Sequence, residues 1–479
     1  MFRLLFLAAV LLLPGLLAAQ SFKPSRERPS GLPREFRGAW VACVYNIDWP
    51  SRKGLSAASQ QSELRRILDQ MARMNMNAVI FQVRPNADAV YSSRIEPWSP
   101  WLTGSMGRSP GYDPLAFCVS EAHARGIEVH AWFNPFRALP NASMPVSRNH
   151  VSRSHPSVIR DFKNYKWMDP GNSFTRDRAM QVILDVVRRY DIDGVHIDDY
   201  FYPYPDLGKD GRPRQRFPDG RSDAQRRSSV DSFVKGMYRG VKKTKPWVRV
   251  GISPFGIWKP GVPAGTTASI SAYDHLAADS RKWLREGWCD YLSPQLYWRI
   301  EGPQSFSRLL TWWRGQGSRP VWPGIATSRI QSSEDPGRPA SEILRQVDLS
   351  RKVGRNWVGH VHWSMKSLRQ NRGGVAKSLE KGAYRYPALV PPMPWVSKKE
   401  PATPRLEASA GRGEVRVRWN PVSGAARYAI QAKTDRGWSL HRVVPGGARE
   451  TTLKGSFKAV AVSAVDRYGT ASSPAVVAR

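Results

Sequence analysis

A closed (β/α)8 barrel, a TIM barrel, followed by a small all-β sandwich is the fold class this sequence predicts, on three observations. Short apolar runs rich in β-branched and aromatic residues alternate with helical patterns eight times across residues 34–385, as parallel β/α units do. No Gly-rich phosphate loop follows the first run, which disfavours an open doubly wound sheet. Beyond Tyr386 the apolar period falls to two and Gly-rich turns take over, the pattern of packed antiparallel sheets.

The N-terminus reads Met1-Phe2-Arg3, then an apolar run from Leu4 to Ala19 ending in small residues. The run is short for a membrane span and fits a secretory signal over residues 1–19. Gln20 and Ser21 stand where a lipid anchor would need cysteine, so a soluble exported protein, periplasmic or extracellular, is expected. Residues 20–33 are polar and basic with three prolines and read as a flexible lead-in, with order beginning near Phe36.

Barrel strands are expected at Arg37 to Val44, Ala78 to Arg84, Glu128 to Asn134, Gly194 to Asp199, Val248 to Pro254, Tyr291 to Trp298, Val321 to Ala326 and Trp357 to Trp363. Helical periodicity marks Ser59 to Met74, Pro114 to Arg125, Arg176 to Tyr190, Asp223 to Lys243, His275 to Glu286, Ser305 to Gly315 and Ser341 to Val353. Residues 386–402 form a stiff Pro-rich linker. Residues 403–479 alternate apolar and polar positions at Glu414 to Trp419, Ala426 to Gln431 and Ser456 to Asp466. With Trp419, Tyr428 and the run Val462 to Gly469, this segment resembles a fibronectin type III domain. Lys458 replaces the tyrosine usual four residues before Val462, so the corner hydrogen bond of that family is expected to be missing.

A net charge of +34, from 73 Lys plus Arg against 39 Asp plus Glu, predicts attraction to polyanions such as wall polymers. The basic residues are spread along the chain, and no nucleic-acid signature accompanies them, so no specific nucleic-acid partner is expected. Three cysteines, Cys43, Cys118 and Cys289, are too few for a disulfide framework and read as small buried residues.

In such a barrel, chemistry sits where strands open into loops at the C-terminal face. Gly194-Val195-His196-Ile197-Asp198-Asp199-Tyr200 places two adjacent carboxylates there. Strand alternation puts His196, Asp198 and Tyr200 on one face, so Asp198 points into the mouth, and Asp199 points away unless the chain already turns. Other strand ends bring Gln82, Arg84, Asn86 and Asp88, then Trp132 and Asn134, then Gln295, Tyr297 and Trp298, then His362 and Trp363. Aromatic rings stack on pyranose faces, amide and charged groups bind hydroxyls, and carboxylates act at the anomeric carbon, so the set suits a glycan. His360 and His362 share a strand face, and His130 and His196 are candidates to point inward, but no metal-ligand spacing accompanies them, and neither a metal nor a cofactor is expected.

Five motifs together resemble the bacterial glycosyl hydrolase-like family ten barrels, some of which cleave peptidoglycan glycan strands. They are Glu35-Phe36-Arg37-Gly38-Ala39-Trp40-Val41 with Asn46 and Trp49, Phe81-Gln82-Val83-Arg84-Pro85, Trp132-Phe133-Asn134-Pro135, Asp193 to Tyr200, and Ser293 to Trp298. The resemblance spans about Arg34 to Lys381 and implies an exported glycoside hydrolase. The fourth-strand motif is also similar to that of chitinase-type barrels, but Tyr200 stands where their catalytic Glu would be. Amylase-type barrels place a nucleophilic Asp four residues after a strand-four Gly, which corresponds to Asp198. The expectation is therefore Asp198 as nucleophile or oxocarbenium stabiliser and Asp199 as the acid, with Asp88 and Glu301 as alternatives. Substrate-binding candidates are Arg84, Asp88, Trp132, Asn134, His196, Tyr200, Gln295, Tyr297, Trp298, His362 and Trp363. The alternative is a non-catalytic glycan-binding barrel.

Overall fold

A computed structural model describes residues 20–479, and the apolar run read as an export signal lies outside the described residues. Eight parallel strands form the barrel: β1 (Phe36–Val41), β2 (Ala78–Arg84), β3 (Glu128–Phe133), β4 (Gly194–Ile197), β5 (Arg249–Ile252), β6 (Tyr291–Leu292), β7 (Gly324–Ile325) and β8 (Gly359–His362). Their order is β6-β5-β4-β3-β2-β1-β8-β7. The ring closes where the Leu292 N–H donates to Pro320 O and the Trp322 N–H to Leu292 O, both at 2.9 Å.

Each strand is followed by a helix of the outer shell, some with a short extra turn of helix before it: α1 (Ala57–Arg73), α2 (Pro114–His123), α3 (Ser173–Arg189), α4 (Asp223–Thr244), α5 (Ser280–Arg285), α6 (Phe306–Arg314), α7 (Ala340–Gly354) and α8 (Val375–Lys381). Outward-facing Val79, Phe81, Val129, Ala131, Val195 and Ile197 are wholly buried against this shell. Burying one such Val or Ile contributes about 1.5–3 kcal/mol. The inward positions hold Phe36, Trp40, Ile80, Tyr291, Trp322 and Val361, with Phe36 and Trp322 stacked at 4.1 Å. Between β3 and α3 the chain inserts a three-stranded antiparallel sheet of Arg137–Leu139, Tyr165–Met168 and Ile159–Phe162, which builds one wall of the barrel mouth.

The C-terminal domain is all-β: β9 (Leu406–Gly411), β10 (Glu414–Trp419), β11 (Ala425–Thr434), β12 (Gly437–Pro445), β13 (Glu450–Lys454), β14 (Ala459–Asp466) and β15 (Ala475–Ala478). β9, β10 and β13 pair in one sheet, and β12, β11, β14 and β15 in the other. Val415 and Val417 of β10 meet Ile430, Val460 and Val462 in the core between them. The hydroxyl of Tyr428 accepts the Val422 N–H at 2.8 Å, a side-chain anchor supplied from a different position than Lys458.

One expectation about connections is corrected. The lead-in is not free, since Gln20–Ser21 pairs with β9, Lys23–Pro24 pairs with β15, and Phe22 is buried in the sandwich core. Unpaired sheet edges supply backbone partners for it, and composition alone carries no trace of that. The Pro-rich linker does not hold the domains apart. The Leu389 N–H donates to Pro33 O, the Met393 N–H to Tyr468 O, and the Arg249 guanidinium to Pro391 O. Leu389 packs with Ala429, Leu440 and Val465 of the sandwich. The three cysteines are buried free thiols. No helix of the described residues is long and apolar enough to cross a membrane.

Candidate active site

A cleft of about 410 Å³ opens at the C-terminal ends of the strands, lined by Trp40, Tyr45, Gln82, Trp132, Arg137, Asp198, Asp199, Tyr200, Tyr204, Ser253, Gln295, Tyr297 and Trp363, with Val44 and Ile47. β4 ends at Ile197, so the turn begins one residue before the carboxylates. Both Asp198 and Asp199 therefore face the cleft.

Asp198 accepts the indole N–H of Trp132 at 3.1 Å and the Asn134 side-chain N–H on one oxygen, and the Tyr200 N–H at 3.3 Å on the other. Asn134 is itself oriented by Gln82, whose Nε2 donates to its Oδ1 at 2.8 Å. The Gln82 Oε1 accepts the N–H groups of Cys43 and Val44, each at 3.0 Å. A chain of amides from the β1 turn thus fixes the Asp198 rotamer. Asp199 accepts from the Tyr204 hydroxyl on one oxygen and from Gln295 Nε2 at 2.8 Å on the other.

Burial, and then the charge of Asp199, pushes Asp198 up to about 7. Burial also raises Asp199, against the donors Tyr204 and Gln295. Two adjacent buried carboxyls that repel one another do not ionise together as readily as isolated ones. Such a pair offers one group that can give a proton and one that can attack or stabilise positive charge. The donors sort the roles: the Asp198 oxygens are met only by N–H groups, which suits an anion, whereas the Tyr204 hydroxyl beside Asp199 can accept as well as donate.

Beneath the cleft the barrel is plugged by polar groups. The Tyr291 hydroxyl lies 2.8 Å from His130 Nδ1 and 2.9 Å from His196 Nδ1. The Trp40 N–H donates to His196 Nε2 at 3.2 Å, so the proton of this neutral ring sits on Nδ1. Burial lowers the His196 pKa well below its usual value. His196 therefore supports the floor of the cleft without lining it, contrary to the expectation for it.

Other expected ligands also lie elsewhere. A register shift between Gln82 and Arg84 sets Arg84 opposite the outward-facing Phe133, and Arg84 is wholly buried in a two-pronged ion pair with Glu96 at 2.6 and 2.7 Å. Its third contact, to the backbone oxygen of Asn134, braces the loop. Asp88 is wholly buried and accepts the Asn86 N–H at 2.9 Å, holding a turn away from the cleft. Glu301 is exposed on a loop outside the lining. Alternation along β8 sends His360 and His362 outward, where both approach the Tyr384 hydroxyl, and leaves Trp363 in the cleft. Trp298 packs edge-on against Phe255 at 5.7 Å, outside the lining. Asn134 acts on Asp198 and does not itself line the cleft. Among the described residues, no three His, Cys, Asp or Glu side chains converge as a metal-holding cluster.

The sequence reading missed Arg137, Tyr204, Ser253 and the aromatic pair Trp40 and Tyr45 as cleft residues. Tyr204 was within reach of inference, because it lies in the aromatic, Pro-rich loop directly after the carboxylates. Arg137 follows Asn134 by three residues in a segment that returns over the mouth as an antiparallel strand, and its residue pattern does not signal that return.

The model of a family described as glycosyl hydrolase-like 10 matches residues 35–333. The chain is 42% identical over 390 residues to glycosyl hydrolase YngK of Bacillus subtilis, covering 78% of this chain and 76% of that protein. It is 35% identical over 369 residues to glycosyl hydrolase DigH of Escherichia coli, covering 70% and 84% respectively. A solved glycoside hydrolase domain of PgaB (BpsB) from Bordetella bronchiseptica overlays loosely, with a TM-score of 0.47 and 12% identity over 73% of this chain and 98% of that one. On the extent of the family match and of these two relatives, the chain belongs to the glycosyl hydrolase-like 10 family and is a glycoside hydrolase.

Proposed function

We propose that this protein is an exported enzyme that hydrolyses peptide-free glycan strands of the cell wall, with Asp198 and Asp199 as its two working carboxyls. The observation that carries the reading is the pairing of these buried groups in one aromatic cleft, where burial raises both above the usual carboxylate range. Asp198, anchored by Trp132 and Asn134, attacks the anomeric carbon or stabilises its positive charge, and Asp199 protonates the leaving oxygen. Trp40, Trp132, Tyr297 and Trp363 supply flat faces against which pyranose rings can stack. Export is supported by the apolar N-terminal run, and the wall polymer by the excess of 73 basic over 39 acidic residues, since stripped strands expose a lactyl carboxylate on each muramic acid.

The test is to incubate the mature protein and its Asp198→Asn variant with peptide-free glycan strands and to weigh the products by mass spectrometry. The wild type is expected to release short oligosaccharides, and the variant to lose at least about a thousandfold in rate. An active Asp198→Asn protein would remove Asp198 from the chemistry. Binding of the strands without release by the wild type would point to a different polysaccharide.

A further inference from the structure

Among the described residues six arginines are buried: Arg37, Arg84, Arg137, Arg226, Arg249 and Arg338. Five have a carboxylate partner, namely Glu35, Glu96, Asp219, Glu128 and Asp335 respectively for Arg37, Arg84, Arg226, Arg249 and Arg338. Arg137 is the exception. It is 8% exposed, and its Nε is buried with no hydrogen-bond partner. A buried guanidinium without an anion is costly, so its retention asks for a partner that arrives from outside.

The position of Arg137 says where that partner comes from. It lines the same cleft as Asp198 and Asp199 and lies over the Tyr200 ring, 4.6 Å from the centroid. Its backbone belongs to the inserted sheet, paired with Trp167, so the side chain springs from a fixed strand. The charge of Arg137 favours ionisation of both Asp198 and Asp199, yet it forms an ion pair with neither. Stacking on Tyr200 holds the plane of the guanidinium and leaves its edge to meet an incoming group. A planar fork of N–H donors fits a carboxylate in a two-pronged contact, and its hydrogen bonds to a charged partner are stronger than to hydroxyls.

We propose that Arg137 anchors a carboxylate carried by the substrate, so that this site selects glycans with an acidic group on a sugar bound next to the scissile bond. The proposal rests on the hydrolase reading above and narrows it. In muramic acid the lactyl ether carboxylate has the required chemistry, and a strand stripped of its peptide presents it free. A strand still carrying peptide has that carboxylate tied up as an amide, so Arg137 also favours stripped strands over peptide-bearing ones.

The test compares native peptide-free strands with the same strands whose lactyl carboxyls have been reduced to alcohols. Wild type should lose about ten- to a hundredfold in kcat/KM on the reduced strands. Arg137→Gln should lose the same factor on native strands, mainly through KM, and should no longer distinguish the two. Arg137→Lys should recover part of the preference. Equal wild-type rates on both strands would overturn the proposal. So would an Arg137→Gln loss of equal size on both strands, which would mean that Arg137 serves the Asp pair and not the substrate carboxylate. If wild type cleaves neither strand, the hydrolase reading falls on its own, and calorimetry decides the Arg137 proposal. Binding of N-acetylmuramic acid that needs both its carboxylate and Arg137 upholds it, and binding indifferent to either overturns it.

Discussion

Burying a carboxyl that must ionise destabilises the fold that holds it, and Asp198 should make this measurable. In an unfolded chain an aspartate titrates near about 3.9, whereas burial and the neighbouring Asp199 take Asp198 to about 7 in the folded protein. Between these values the native Asp198–Asp199 pair keeps a proton that the unfolded chain has released. Stability from this group therefore falls as pH rises through that window, and the penalty is complete above it. Asp198→Asn removes the penalty while keeping an acceptor for the N–H groups of Trp132 and Asn134. The variant should melt about 2–4 °C above wild type at pH 8 and close to wild type at pH 4. Equal melting temperatures at pH 8, followed by calorimetry, would show that the cleft carries no such strain. The same residue is then expected to be the most damaging to activity and stabilising to the fold, which separates its catalytic role from a structural one.

At the scale of elements, the barrel interior depends on strand residues that leave space. An added Cβ at Gly251 of β5 would lie 2.0 Å from the Tyr291 ring, and one at Gly194 of β4 would lie 2.5 Å from His130. Gly251→Ala should push Tyr291 out of its bridge between His130 and His196, destabilising the protein by about 1–3 kcal/mol in urea unfolding. A loss below about 0.5 kcal/mol would mean that the plug of rings is loosely packed. Such glycines mark close approach in a strand pattern, and the eight strands were legible because outward Val, Ile, Phe and Ala residues recur between turn signals. Strand lengths were less legible. Runs expected at Tyr291 to Trp298 and Val321 to Ala326 shrink to Tyr291–Leu292 and Gly324–Ile325, since Pro294 and Pro323 have no N–H for the ladder. In the cleft, period-two alternation correctly turned His196 and Asp198 inward. It failed at Arg84, where the register shifts, and it was not applied to His362 and Trp363, which as neighbours on one strand lie on opposite faces. Arg137 was beyond its reach, because only the tertiary return of an inserted sheet brings that residue to the mouth.

At the scale of the whole molecule, the sandwich is fixed to the face of the barrel opposite the cleft. Glu128 opens β3 and Asp193 precedes β4, and Arg427 of the sandwich reaches both, at 3.3 and 3.4 Å. Its side chain is 12% exposed there. Arg467 pairs with Asp191 beside it. Burial alone would raise both acids, but Arg249, His130 and Arg427 hold Glu128 below its usual range, and His123 and Arg427 do the same for Asp193. Groups with depressed native pKa values stabilise the fold above their unfolded pKa, near about 4, and the stabilisation is lost as pH falls. Arg427→Met keeps much of the side-chain volume but leaves two buried carboxylates short of a countercharge, a change expected to cost about 3 kcal/mol at pH 7. The loss should shrink as pH falls below about 4, where protonation of Glu128 and Asp193 removes what Arg427 neutralises. Because the linker and the lead-in also tie the domains together, wild type should unfold in one transition followed by both far-UV and tryptophan signals. Arg427→Met should let the sandwich melt ahead of the barrel. Two separate transitions in wild type, or a loss of equal size at pH 7 and pH 3, would show that the sandwich is a loosely tethered module and not part of the support beneath the cleft.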